Sequence, residues 1–153
     1  MTTASKVIGA LQGKTLVTAE SLTGGGIGAE LTAVPGASAV YKGGVISYTD
    51  EVKREVLGVP ADALETCGAV SEPVAKAMAS GARKLLKADV AVAVTGLAGP
   101  TGDEFGHEVG TVFIGYADGH TVKAGEYHFC GDREAVRKQT VEAALNVILE
   151  NVK

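Results

Sequence analysis

Two short apolar runs in this chain each pass straight into a glycine-rich loop, and that repetition narrows the possible folds more than any other feature. Thr15–Ala19 (TLVTA) leads into ESLTGGG, and Val90–Thr95 (VAVAVT) leads into GLAGPTG. Unbroken β-branched runs of this length read as strands buried on both faces, the kind found in parallel sheets covered by helices. Ligands in open α/β sheets lie beyond the carboxyl ends of the strands. Two glycine loops in that position predict one shared crevice. Glycine accounts for 21 of the 153 residues, about twice the usual ~7%. No Gly-X-Y period or low-complexity tract accompanies it, so collagen and flexible linkers are excluded. The glycines must serve tight turns, or places where backbone approaches backbone or a ligand.

The remaining pattern fills in the layers. Ile27, Leu31 and Val34 share a helical face that stops at Pro35-Gly36. Val40–Tyr48 predicts a strand in which Gly43-Gly44 marks a bulge or a close approach. Thr49 or Asp50 caps a short helix over Glu51–Leu57, ended by Gly58 and Pro60. Ser71-Glu72-Pro73 opens a helix through Lys87, with Val74, Met78, Gly81 and Leu85 as its stripe. Thr111–Ala117 and Thr121–Phe129, about Asp118-Gly119, predict an antiparallel hairpin. Asp132 caps a last helix that buries Val136, Thr140, Ala144, Leu145, Ile148 and Val152. This order predicts one α/β domain over residues 1–153, a three-layer α/β/α sandwich with a mixed, mostly parallel sheet.

Charge and cysteine content set the surroundings. The net charge is −4, and no run of Lys and Arg appears, which argues against a nucleic-acid partner. The longest apolar stretch, around Val90–Val94, is too short to span a bilayer. Cys67 and Cys130 cannot make a disulfide framework, and the first residues lack a signal-peptide core. A cytoplasmic protein with reduced thiols is expected, with both cysteines as packing residues. Small α/β enzymes commonly self-associate symmetrically, so a homo-oligomer is expected too.

Several side chains have chemical and plain readings side by side. Ser21, just before Gly24-Gly25-Gly26, suits a nucleophile with helix-start amides for an oxyanion; Ser21 or Thr23 equally suits a helix cap. Lys53 is either a solvated lysine in the run Glu51-Val52-Lys53-Arg54-Glu55 or a base made neutral by burial and a helix N-terminus. Tyr48 is a strand aromatic or that base's partner. Arg133 and Arg137 share a face near the start of the last helix, as phosphate ligands or as solvated charges. Asp103, Glu104, His107 and Glu108 share a loop, read as polar surface with no required metal. Gly24–Ala29 also fits G-x-G-x-x-A, with Asp50 some twenty residues on, but Glu20–Thr23 separate that turn from its strand.

Taken together, TAESLTGGGIGAEL, VPGASAVYKGGVISYTDEVKREVLGV, GAVSEPVAKAMASGARKLLKADVAVAVTGLAGPTG, VGTVFIG and GDREAVRKQTVEAAL resemble the CinA C-terminal domain family. The resemblance implies a three-layer α/β/α domain and hydrolysis of nicotinamide mononucleotide to nicotinic acid mononucleotide and ammonia. By position it implies Ser21 as nucleophile, Tyr48 and Lys53 as its activators, and Thr95 and Gly96 in the nucleotide site. Arg137 is implied as a substrate contact. With this chemistry, amides around Thr23, Gly24 and Gly25 would hold the oxyanion, and Arg133 and Arg137 the phosphate, without metal or cofactor. Two positions depart from the family pattern: Leu22 replaces a usual cysteine, and His107-Glu108-Val109 replaces a usual Lys-Pro-Val. The chain lacks the large N-terminal domain of full-length CinA proteins, so the stand-alone amidase form is expected. A non-catalytic nucleotide-binding module, tied to competence or damage responses, is the alternative.

Overall fold

A computed structural model describes residues 1–152. The order is α1 (Thr3–Ala10), β1 (Leu16–Glu20), α2 (Gly26–Thr32), a 3-10 turn (Ala37–Ala39), β2 (Tyr41–Ile46), α3 (Asp50–Glu55), α4 (Ala61–Cys67) and α5 (Glu72–Leu86). There follow β3 (Val90–Gly96), β4 (Thr111–Ala117), β5 (Val122–His128) and α6 (Arg133–Asn151). The five strands of the described residues form one sheet in the order β2-β1-β3-β4-β5. β1 pairs in parallel with β2 and β3, while β3–β4 and β4–β5 are antiparallel. The sheet is therefore mixed, with β4 alone running against the other four.

Alternation along the strands divides the core into two faces. Leu16, Val90, Val92, Val94, Val112, Ile114 and Tyr116 pack toward α1, α2 and α6. Val17, Ala19, Ala91, Ala93 and Ala117 pack toward α5 and the Leu57–Leu64 segment. Alanines on this second face let α5 settle close to the sheet, and a Cβ at Gly115 would strike the Ala75 carbonyl. Gly81 likewise lies under the Leu57 carbonyl, where a Cβ would collide with backbone. Gly81→Ala is expected to lower stability by about 2–3 kcal/mol, because overpacking against backbone cannot relax through a rotamer. A urea midpoint unchanged from wild type would contradict that expectation.

Most elements match the sequence reading to within a residue or two. The β1–β2 register shifts opposite Leu16/Val17, and a Cβ at Gly44 would strike the Thr18 hydroxyl, so both a bulge and a close approach occur there. The α5 stripe needs correction: Val74, Ala75, Met78, Ala79 and Ala82 are buried, whereas Leu85 is 50% exposed. The buried arc is centred between Ala75 and Ala82, so Leu86 reaches the core and Leu85 falls outside it. Cys130 is exposed, which removes it from the packing residues; Cys67 is half-buried. Helices α1 and α4 carry no sequence expectation above. α1 begins at Thr2, whose hydroxyl accepts the Ser5 N–H, and buries Ala4, Val7 and Ile8. No helix of the described residues is long and apolar enough to cross a membrane.

For the site, the decisive pairing is the parallel one between β1 and β3. Glu20 stands opposite Val94, so the chain leaves the two strands side by side. The Ser21 N–H donates to the Val94 carbonyl (3.2 Å), joining the first loop to the base of the second.

Candidate active site

Ser21 and Lys53 meet beyond the ends of β1 and β2. The Thr49 hydroxyl caps α3 by accepting the Val52 N–H, and the helix then turns Lys53 inward. Lys53 is only 1% exposed and Ser21 6%. Lys53 Nζ lies 3.0 Å from Ser21 Oγ, 2.8 Å from the Ser47 carbonyl and 3.1 Å from the Tyr48 carbonyl. The solvated reading of Lys53 is thus overturned, because the β2–α3 turn and Ser21 enclose it. Burial lowers its pKa to about 8, against an opposing pull from the Asp50 carboxylate. A neutral amine has two N–H groups, one for each carbonyl, and its lone pair then faces the serine hydroxyl. An amine so placed can act as base to a serine.

One buried carboxylate here has no counterpart among the sequence candidates. Glu20 is 2% exposed. Its carboxylate accepts from the Thr23 hydroxyl (2.6 Å), the Ile27 N–H (2.8 Å) and the Gly28 N–H (3.0 Å). The amides at the start of α2 that would cradle a phosphate therefore already hold an anion of the protein itself. The dinucleotide reading of Gly24–Ala29 fails on this contact, since a pyrophosphate needs that helix start. An acid placed between a strand and a glycine-opened helix is the sequence signal that could have found it.

The other expected residues divide by location. A cavity of about 550 Å³ opens beside Ser21 and Lys53 and is also lined by Thr95, Gly96, Gly99 and Arg133. This size suits a small-molecule site. The Thr95 hydroxyl donates to the Ala69 carbonyl (3.0 Å). Gly96 has no room for a Cβ, which would lie 2.7 Å from the Thr111 carbonyl. Arg133, at the start of α6, donates to the Gly99 carbonyl (2.6 Å) and the Tyr48 hydroxyl (3.2 Å), tying two loops to that helix at the cavity. Tyr48 is 59% exposed, and it meets Lys53 through its carbonyl rather than its phenol.

Arg137 sits on the far side of the turn, where it donates to the Leu22 (2.9 Å) and Thr23 (3.2 Å) carbonyls and does not line the cavity. The Thr23 hydroxyl points inward to Glu20. Gly24 and Gly25 adopt positive φ (59° and 105°), as the turn into α2 requires. The Gly24 N–H is occupied by the Ser21 carbonyl (3.1 Å). The Leu22 and Gly25 N–H groups donate to no acceptor among the described residues. His107 pairs with Asp103 at 2.7 Å and lies outside the cavity lining.

Comparison with known proteins places the chain in a family. The family model described as the CinA C-terminal domain matches residues 2–152. A nicotinamide-nucleotide amidohydrolase, PncC, of Pseudomonas putida is 47% identical over 135 residues, covering 88% of this chain and 84% of that protein. A CinA-like protein of Geobacter metallireducens is 48% identical over 134 residues, covering 88% of this chain but 32% of that protein. The chain spans about a third of the length of the first curated relatives it matches. Among solved structures, a competence damage-inducible protein A (ComA) of Klebsiella pneumoniae superposes with a TM-score of 0.95 at 40% identity, covering 97% of this chain and 94% of that one. A CinA superfamily protein of Enterobacter cloacae gives 0.96 at 32% identity, covering 99% of this chain and 90% of that one. The chain belongs to the CinA C-terminal domain family.

Proposed function

We propose that this protein hydrolyses the carboxamide of nicotinamide mononucleotide, giving nicotinic acid mononucleotide and ammonia, with Ser21 as nucleophile and Lys53 as base. The observation that carries the reading is the buried 3.0 Å contact between Lys53 Nζ and Ser21 Oγ, with the Ser47 and Tyr48 carbonyls 2.8 and 3.1 Å from the same nitrogen. The likeness to the Pseudomonas putida amidohydrolase, which covers most of both chains, supplies the substrate.

The steps follow from the geometry. Lys53 takes the Ser21 proton as Oγ bonds to the carboxamide carbon, and the carbonyl oxygen becomes an oxyanion. The Leu22 N–H, next in the chain and without an acceptor among the described residues, is a candidate donor to it. The C–N bond then breaks, the Lys53 ammonium returns its proton to the leaving nitrogen, and ammonia departs. Water adds to the acyl-serine with its proton passing to Lys53. The C–O bond to Ser21 breaks as Lys53 returns that proton to Ser21 Oγ, and the nicotinate nucleotide is released. Arg133 is the cation on the cavity wall suited to the phosphate. Tyr48 contributes its carbonyl to Lys53 and its hydroxyl to Arg133. Because one sheet links every strand, the reading takes the chain as a single domain.

The test is ammonia release from nicotinamide mononucleotide in the presence of EDTA, with the nucleotide product identified by mass. Stoichiometric ammonia and nicotinic acid mononucleotide are expected. Tight binding of the nucleotide without ammonia would refute the amidase reading and return the non-catalytic module.

A further inference from the structure

We propose that Glu20 is a positioning residue for Ser21, acting through Thr23. The inference rests on the reading of Ser21 as nucleophile. Burying a carboxylate is costly unless donors surround it, and here they do. Besides Thr23, Ile27 and Gly28, the Thr18 hydroxyl lies 3.4 Å from Glu20 Oε2. None of the ion pairs among the described residues includes Glu20. Two of its partners are backbone N–H groups, which cannot reverse their polarity. A neutral amide in its place would set an NH₂ against one of them.

Residue 20 is also linked to both halves of the dyad through intermediate residues. Its side chain closes the Ser21–Thr23 turn from inside, while the Ser21 N–H is held by Val94 and the Ser21 carbonyl by Gly24. Its own carbonyl accepts the Ser47 N–H at 2.7 Å. The Ser47 carbonyl in turn accepts from Lys53 Nζ. Glu20 therefore fixes the serine through Thr23 and the lysine through Ser47, without contact to the reacting atoms. This assigns Thr23 to the support of the turn rather than to the substrate.

Thr23→Val removes the hydroxyl link at nearly constant volume, and Thr23→Ser keeps it. Two measurements are made on each: kcat and KM for ammonia release, and the rate at which an alkyl fluorophosphonate labels Ser21. In Thr23→Val, kcat is expected to fall by about 10- to 100-fold, the scale of a displaced reacting group. KM should stay near wild type, Ser21 labelling should slow in parallel, and Thr23→Ser should restore both. A raised KM with unchanged kcat would overturn the inference by placing Thr23 on the substrate, and so would unchanged labelling in Thr23→Val. Glu20→Gln should show the same kcat loss wherever circular dichroism reports a folded protein; a folded Glu20→Gln with wild-type kcat also overturns the inference. Should wild-type Ser21 be labelled, and labelled more slowly in Thr23→Val, while no nicotinamide nucleotide is hydrolysed, the substrate reading falls and the positioning role stands.

Discussion

Ser21→Ala is expected to lower ammonia release by on the order of 10⁴-fold or more, the loss seen when a serine nucleophile working as part of a unit is removed. The substitution deletes one buried oxygen and leaves the surroundings almost intact. Lys53 Nζ keeps the Ser47 and Tyr48 carbonyls, and the Ser21 backbone bonds to Val94 and Gly24 do not involve the side chain. Folding and nucleotide affinity should therefore survive while chemistry does not. The comparison to make is turnover by ammonia assay against affinity by calorimetry on the same preparation. Turnover within tenfold of wild type would remove Ser21 from the mechanism and, with it, the acyl-enzyme.

Lys53→Met is expected to cost about 10²- to 10⁴-fold in kcat, the usual range for a general base. Methionine fills a similar space but offers no lone pair to the serine. The same lysine sets the pH dependence. Its pKa lies near 8, lowered by burial from an ordinary 10.5, and only the neutral form can accept the serine proton. In wild type, log kcat/KM should climb with unit slope as pH rises toward about 8 and then level off; the methionine variant should lose that limb. A profile flat from pH 6 to 9 would be incompatible with Lys53 as base.

Stability carries an independent signature of the same shift. Between about pH 8 and 10.5 the unfolded chain holds a proton at Lys53 that the folded chain has lost. Unfolding free energy therefore rises with pH through that window, and below it the cost of the buried ammonium is constant. Urea unfolding of wild type and Lys53→Met across pH 7–10 isolates the contribution, which only the wild type should show.

Much of the fold is legible because it depends on local pattern. VAVAVT has no polar face, so it must lie in a sheet covered on both sides, and β3 is buried in that way through Thr95. The helix over Glu72–Leu86 begins where Ser71 and Pro73 indicate. Leu85 shows the limit: helical spacing identifies a stripe, but the angle at which the helix lies on the sheet decides which edge of the stripe reaches water. In the site, Ser21, Lys53 and the second glycine loop could be named as candidates, their roles implied by the family resemblance. The partners of Lys53 could not, because two of them are backbone carbonyls of Ser47 and Tyr48, and any residue type supplies a carbonyl. Arg133 and Arg137 are equivalent in sequence. In three dimensions one lines the cavity and the other clasps the back of the serine turn.

The sequence by itself determined the layer architecture, the two glycine loops at neighbouring strand ends and the family, because hydrophobic period, turn residues and linked motifs are properties of the chain read in order. Only the tertiary structure decided the burial of Lys53 and the partners of Glu20. A lysine is solvated or enclosed, with its pKa ordinary or lowered, according to what other elements place over it. A glutamate at a helix start is a ligand's rival or its partner according to which amides reach it first. Here β1, β2 and α3 together enclose Lys53 against Ser21, and α2 closes its first amides on Glu20. The first glycine loop, whose amides the sequence offered to an oxyanion, also packs its helix start around a buried carboxylate beside the proposed nucleophile.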